Sequence, residues 1–221
     1  MKAIRSFQPL IWLIMVAFTA CSKGSSDPKP ESNTNIQGMY FIAQYGYNGY
    51  GIYSYFTPFL LLKDGSIKKD IIQPPGSLDE TQSKQSEPDK WGRWSKSGTT
   101  IHITWNDGKT EKWDTWYYGL PAEKGEKLSG TYESLFAVVN QQYEGISFTA
   151  DGKFSVKKDN GNSVQTLTGT YILNGYGITL DYDNGQTEEW SFVFYCKGKN
   201  TESPQKDTSA FLMAEDNYSS E

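Results

Sequence analysis

The sequence predicts an all-β protein, an antiparallel up-and-down meander in which two repeated β units, barrels or curled sheets, pack together. Three observations lead there. Dipeptides that tolerate positive φ recur at Asp64-Gly65, Asp107-Gly108, Asp151-Gly152, Asn160-Gly161, Asn174-Gly175 and Asn184-Gly185, and each marks a tight hairpin. Between such turns apolar and polar residues alternate: Ile101, Ile103 and Trp105 oppose His102 and Thr104, and Tyr176, Ile178, Leu180 and Tyr182 repeat the pattern. The chain also repeats itself. GRWSKSGTTIHITWNDGKTEKW (Gly92 to Trp113) aligns without a gap on GTYILNGYGITLDYDNGQTEEW (Gly169 to Trp190), at a constant offset of 77 residues. Upstream, LLLKDGSIKKD (60–70) echoes FTADGKFSVKKD (148–159), and Gly38-Met39-Tyr40 matches Gly130-Thr131-Tyr132. No stretch beyond the N-terminal leader carries a helical period, so about six short strands per unit are expected.

Taken in order, residues 1–20 read as a leader. Lys2 and Arg5 form a basic start, and Leu10 to Phe18 (LIWLIMVAF) form an apolar core too short for a membrane-spanning helix. Phe18, Thr19 and Ala20 then lead into Cys21. That arrangement resembles the lipobox of bacterial, Bacteroidetes-type lipoproteins. The resemblance implies cleavage before Cys21, lipidation of its sulfur, and a place in the cell envelope as an outer-membrane lipoprotein, facing either the periplasm or the outside. Residues 21–36 contain SKGSSDPKPESNTN, polar and without periodicity, and read as a solvated tether. Unit one then covers 37–128 and unit two 129–221.

Loss of the two leader cations takes the formal charge from −5 to −7. An acidic chain with interspersed lysines is a poor partner for nucleic acid or anionic lipid. With Cys21 lipidated, Cys196 has no partner for an intramolecular disulfide and reads as a small buried hydrophobe.

The strand punctuation resembles that of lipocalin-like (calycin-like) domains of bacterial lipoproteins: a GxY strand, a DG hairpin, a second GxY strand, then G-x-x-I-x-L, a turn glycine and a closing aromatic strand. The resemblance runs over roughly residues 37–218. It implies up-and-down barrels or strongly curled sheets, a fold that commonly serves in binding.

Catalytic chemistry finds little to work with. The single histidine, His102, falls on the polar side of its strand, and its repeat partner is Thr179. One histidine excludes a multi-histidine metal site, and its place on the polar side of a strand makes it a surface imidazole rather than the base of a serine-type triad. DYDNG (181–185) places its glycine one position too early for an EF-hand loop, so a hairpin is the reading, with no metal and no cofactor expected. Glu111 and Glu188 could form a hydrolase's carboxylate pair, but they are repeat partners, which favours scaffold.

Subtracting the repeat exposes what is local. Trp94, Trp105, Trp113 and Tyr40 have aromatic partners (Tyr171, Tyr182, Trp190 and Tyr132) and read as core. Trp91 falls opposite Thr168 and Trp116 opposite Val193. Unit one also carries two insertions. Gly38 to Asp64 spans 26 positions against 21 from Gly130 to Asp151, the excess lying in YGYNGYGIYSYF (45–56). Asp70 to Gly92 spans 22 against ten from Asp159 to Gly169, and the added residues read as a proline-punctuated surface loop.

The ligand contacts expected are therefore Tyr47, Tyr50, Tyr53, Trp91 and Trp116, with no catalytic residue. Tyrosine offers a flat apolar face and a hydroxyl at low entropic cost. The function expected is non-catalytic binding of a small apolar ligand or glycan by a lipid-anchored envelope protein. Two alternatives stand beside it: an assembly lipoprotein that holds an envelope protein, and a carboxylate-based hydrolase.

Overall fold

The computed structural model describes residues 35–48, 51–134, 145–159, 164–214 and 216–220 of the 221-residue chain. The leader, Cys21 and the tether up to residue 34 lie outside them. Two antiparallel sheets make up the fold. The first contains β1 (Ile36–Asn48), β2 (Gly51–Leu62), β3 (Ser66–Lys69), β4 (Trp91–Ser97), β5 (Thr100–Trp105), β6 (Thr110–Trp113) and β7 (Tyr117–Gly119), in the order β6-β5-β4-β3-β2-β1-β7. The second contains β8 (Gly130–Ser134), β9 (Gly145–Phe148), β10 (Lys153–Asp159), β11 (Val164–Asn174), β12 (Gly177–Tyr182), β13 (Thr187–Lys197), β14 (Gln205–Met213) and β15 (Asp216–Ser220). Here β15 pairs with β8, Tyr218 opposite Ser134, and the eight strands close into an up-and-down barrel. The all-β class and the paired lipocalin-like units are as the sequence predicts. The extra strands beyond six per unit are short pieces such as β7, with three residues, which alternation cannot reveal.

The duplication extends to backbone hydrogen bonds. Asn106 N donates to Trp91 O at 3.0 Å, and its repeat partner Asp183 N donates to Thr168 O at 2.9 Å. Trp105 N reaches Lys109 O, and Tyr182 N reaches Gln186 O, both at 2.8 Å. The turn glycines Gly108 and Gly185 sit at φ 86° and 87°, a region where a Cβ is disfavoured.

The barrel interior is filled by side chains rather than left as a calyx. Ile146, Leu180, Phe192, Phe194, Phe211 and Tyr218 have no accessible surface, and the Phe211 ring lies 5.0 Å from Tyr132, 5.1 Å from Phe192 and 5.2 Å from Tyr218. The first sheet curls without closing. Phe59 on β2 and Trp113 on β6 have ring centroids 4.5 Å apart, although three strands lie between theirs. In a flat sheet that separation would be roughly 19 Å. Inside the curl lie Tyr40, Phe59, Leu61, Ile67, Ile101, Ile103, Trp105, Trp113 and Trp116. The opposite face of the same sheet, through Met39, Phe41, Leu60, Leu62 and Trp91, packs on Tyr176, Val193 and Leu212 of the barrel's outer wall.

The open seam of the first unit is closed by residues from both units. Trp116, in the turn between β6 and β7, fills the curl and donates from Nε1 to Thr99 O at 2.7 Å. The β13–β14 loop of unit two then holds that turn. Asn200 Oδ1 accepts from Trp116 N at 2.9 Å, Asn200 N donates to Trp116 O at 2.8 Å, and Nδ2 donates to Asp114 O at 2.9 Å. Two residues on, Glu202 accepts from Tyr40 OH at 2.8 Å and from Lys96 Nζ at 3.1 Å. Burial alone would raise the Glu202 carboxyl, but these two donors outweigh it and hold it below the usual range. Burial and the neighbouring carboxylate both push the Tyr40 hydroxyl up, so it stays a donor. A loop of the closed barrel thus does for unit one what β15 does for unit two.

The 70–90 insertion is not a plain loop. It contains a helix, α1 (Glu80–Ser86), flanked by single 3-10 turns at Pro75–Ser77 and Pro88–Lys90. Asp79 caps α1 by accepting from Gln82 N at 2.9 Å, and Lys84 pairs with Glu80 one turn back at 3.3 Å. Ser83 is its only buried residue, so the helix has no apolar stripe for the sequence to show.

Candidate functional site

The chain leaves the first sheet at Asp70, whose φ of 57° is a left-handed conformation that aspartate tolerates better than most residues. In unit two the equivalent hairpin simply continues, β10 pairing with β11 out to Asp159 and Val164. In unit one the insertion folds back over β3 and encloses a cleft of about 430 Å³. The volume suits a small molecule.

Polar groups dominate its lining. Gln73, Ser77, Gln82 and Ser86 offer hydrogen-bond donors and acceptors, and Ile71, Ile72 and Leu78 offer apolar surface. A line of ion pairs runs along one wall: Asp70 to Lys90 at 3.4 Å, Lys90 to Glu87 at 3.0 Å, and Glu87 to Lys68 at 3.1 Å. The Lys68 side chain is 5% exposed, and Glu87 is the carboxylate that pairs with its buried ammonium. The Lys90 and Lys68 ammonium groups hold the Glu87 carboxyl below its ordinary value. A group held ionised in this way is the opposite of a general acid, which needs its pKa raised. Trp91 lies beneath the cleft and donates from Nε1 to Ser83 Oγ at 3.1 Å, which fixes that hydroxyl in the lining. The insertion is anchored at its far side too, where Ser191 N donates to Ile72 O at 2.7 Å.

The tyrosine-rich stretch forms a different surface. Strands β1 and β2 stay paired from Leu62 opposite Ile36 to Gly51 opposite Asn48, yet β7 covers β1 only at Met39–Phe41, and β3 covers β2 only at Phe59–Leu61. Beyond those limits the hairpin projects as a two-stranded ribbon. Its base is held by stacked rings: Phe41 lies 5.4 Å from both Tyr117 and Tyr195, and Phe56 meets Tyr195 edge-on at 5.2 Å. Farther out, Tyr45 and Tyr47 are 76% and 77% exposed.

The expected contact residues therefore scatter. Tyr47 stands in solvent on the ribbon rather than in a pocket. Tyr50 lies outside the described residues, and Tyr53 is described only through its backbone, which pairs with Gly46. Trp91 and Trp116 are corrected to core residues, at 1% and 0% exposure. Lacking an aromatic repeat partner does mark where unit one departs from unit two. The departure is structural in both cases, since Trp91 supports the insertion and Trp116 fills the open seam. The cleft residues between Lys68 and Lys90 carried one readable signal, the length of the insertion, but nothing in its sequence shows that it folds back into a concave wall.

Glu111 and Glu188 behave as scaffold. Glu111 accepts from Trp105 Nε1 at 2.7 Å, and Glu188 accepts from Tyr182 OH at 2.8 Å, so each carboxylate ties down the aromatic residue at the same repeat position. His102 is exposed, and Cys196 is half-buried against the core between the two units. No family model, no curated protein and no solved structure matches the chain.

Proposed function

We propose that the protein is a lipid-anchored cell-envelope binding protein that acts without catalysis. Its ligand is a glycan-like polyol held in the cleft beneath the 70–90 insertion. The cleft itself carries this reading: it is ligand-sized, it belongs to the one unit that has the insertion, and its lining alternates amides, hydroxyls and paired charges with Ile72 and Leu78. Sugars present that mixture of hydroxyls and apolar ring faces. A small apolar ligand is less well suited, because the barrel interior is filled and the cleft is polar. The pairing of Glu87 with Lys90 and Lys68, and the ties of Glu111 and Glu188 to aromatic donors, favour binding over hydrolysis.

Titration of the full chain with a panel of neutral oligosaccharides tests the reading. Replacing both Gln73 and Gln82 by Ala, two exposed cleft residues, should weaken any glycan that binds at least tenfold and leave the thermal midpoint in place. Unchanged affinity in that variant, or no glycan bound by the wild type, would sink the assignment.

The envelope address rests on the Lys2–Cys21 leader and has its own test. Cys21→Ser should abolish labelling with a radioactive fatty acid and move the chain from the membrane to the soluble fraction. Retention of both would remove the anchor.

A further inference from the structure

The projecting ribbon presents an unprotected strand edge. In its register Phe41 faces Pro58, which has no N–H, so this is a non-hydrogen-bonded pair. Alternation then turns the N–H and C=O groups of Ala43, Tyr45 and Tyr47 away from β2. The backbone of Phe56, opposite Ala43, agrees: its N–H donates to Asn217 Oδ1 at 3.2 Å and its carbonyl accepts from Asn217 Nδ2 at 3.4 Å, both on the outer side of β2. Asn217 thus caps the β2 edge at its base. Among the described residues, nothing pairs with the β1 edge beyond Phe41.

Natural sheets blunt such edges with lysine, proline or a bulge. The β1 edge from Ile42 to Asn48 (IAQYGYN) has none of these, and no charged residue occurs anywhere from Ile36 to Leu62 in a chain of net charge −5. Of the large hydrophobic residues described, three are exposed, and two of them, Tyr45 and Tyr47, stand on this edge strand. Two acidic copies repel over most of their surface; here they can approach without that cost.

We infer that the β1 ribbon pairs with the β1 ribbon of a second copy, antiparallel and two-fold symmetric about Gly46. The register is self-complementary. Tyr45 faces Tyr47 of the second copy and Tyr47 faces its Tyr45, all four with outward-pointing amides, which gives four backbone hydrogen bonds and two cross-strand tyrosine pairs. Gly46 meets Gly46 at the axis, where no side chain intervenes. An isologous contact of this kind closes at a dimer instead of growing into a fibre.

Cysteine cross-linking of the full chain in its membrane tests the register. At a non-hydrogen-bonded pair the two residues at position 46 would have Cα atoms about 4.5 Å apart, within disulfide reach. Positions 44 would lie roughly 13 Å apart, four residues along the strands. Gly46→Cys should therefore give a disulfide-linked dimer under mild oxidation, at least tenfold more than Gln44→Cys, and the wild type with its own cysteines should give none. Adding Tyr45→Lys and Tyr47→Lys should abolish the cross-link at an unchanged thermal midpoint, because both rings are exposed. Equal cross-linking at 44 and 46, no dimer from Gly46→Cys, or linkage to some other protein would each overturn the pairing. Sedimentation of the wild type in detergent provides a cysteine-free check: a monomer at all concentrations would overturn it as well.

Discussion

Trp116→Ala is expected to lower the stability of the whole chain by about 3–5 kcal/mol, the range for removing a large buried aromatic. For a protein of this size that is a fall of roughly 10 °C in the thermal midpoint. The indole has no accessible surface, its ring lies 5.3 Å from Tyr40, and the Lys96 ammonium sits 4.9 Å above it. Truncation empties the middle of the curl, orphans Thr99 O, and loosens the turn that Asn200 grips from the other unit. Because that turn joins the units, calorimetry should show one transition that moves as a whole. A midpoint within the error of wild type would make Trp116 a surface residue after all. A split transition, with the barrel unmoved, would mean that the β13–β14 loop does not couple the units. The contrast with Tyr47→Ala is instructive: at 77% exposure it should change stability by less than about 0.5 kcal/mol.

The second large effect is expected from Gly169→Ala. A Cβ there would sit 2.1 Å from Asp181 O and 2.8 Å from Tyr182 Cα, both backbone atoms of the neighbouring strand β12. Neither can give way without shifting the barrel wall. Overpacking typically costs about 1–3 kcal/mol, and a clash with backbone belongs at the top of that range or beyond. Its repeat partner Gly92 is less crowded, with Thr104 O at 2.7 Å and Trp105 Cα at 3.1 Å, so Gly92→Ala should cost less. In each unit the glycine faces an aromatic residue across the ladder, Trp105 or Tyr182, whose backbone approaches because no side chain holds it off. Urea titration of the two variants checks the order. Gly169→Ala within about 0.5 kcal/mol of wild type would remove the close approach as the reason for the duplicated glycine.

These two residues also show what could be read in advance. Gly169 was visible because the repeat pairs it with Gly92, and strand punctuation is local: a turn needs a positive φ at one position, and a half-buried strand needs alternation over a few residues. Trp116 stands out in the repeat as an aromatic residue without a partner, but the sequence does not place it in the core. Its burial depends on Asn200 and Glu202, which lie 84 residues from Trp116 and 162 residues from Tyr40, respectively. The cleft was hidden for a related reason. The length of the 70–90 insertion can be counted, but its return over β3 is fixed by Lys68 meeting Glu87 and by Trp91 meeting Ser83, contacts that leave no periodic trace. The exposed ring of Tyr47 agrees with the excess of residues in 45–56. The projecting ribbon under it follows from where β7 and β3 stop pairing.

The all-β class, the two-fold internal repeat, the hairpin positions and the shared aromatic core are all legible from the residues alone. All of these follow from short-range rules of backbone conformation and alternation. That one unit closes on itself through β15 while the other stays open, its seam filled by Trp116 and a borrowed loop, emerges from contacts distant in the chain. Closure is a matter of which distant edges meet and what volume is left to fill. Two units with nearly the same local pattern can settle it differently once an insertion and a single loop shift the balance.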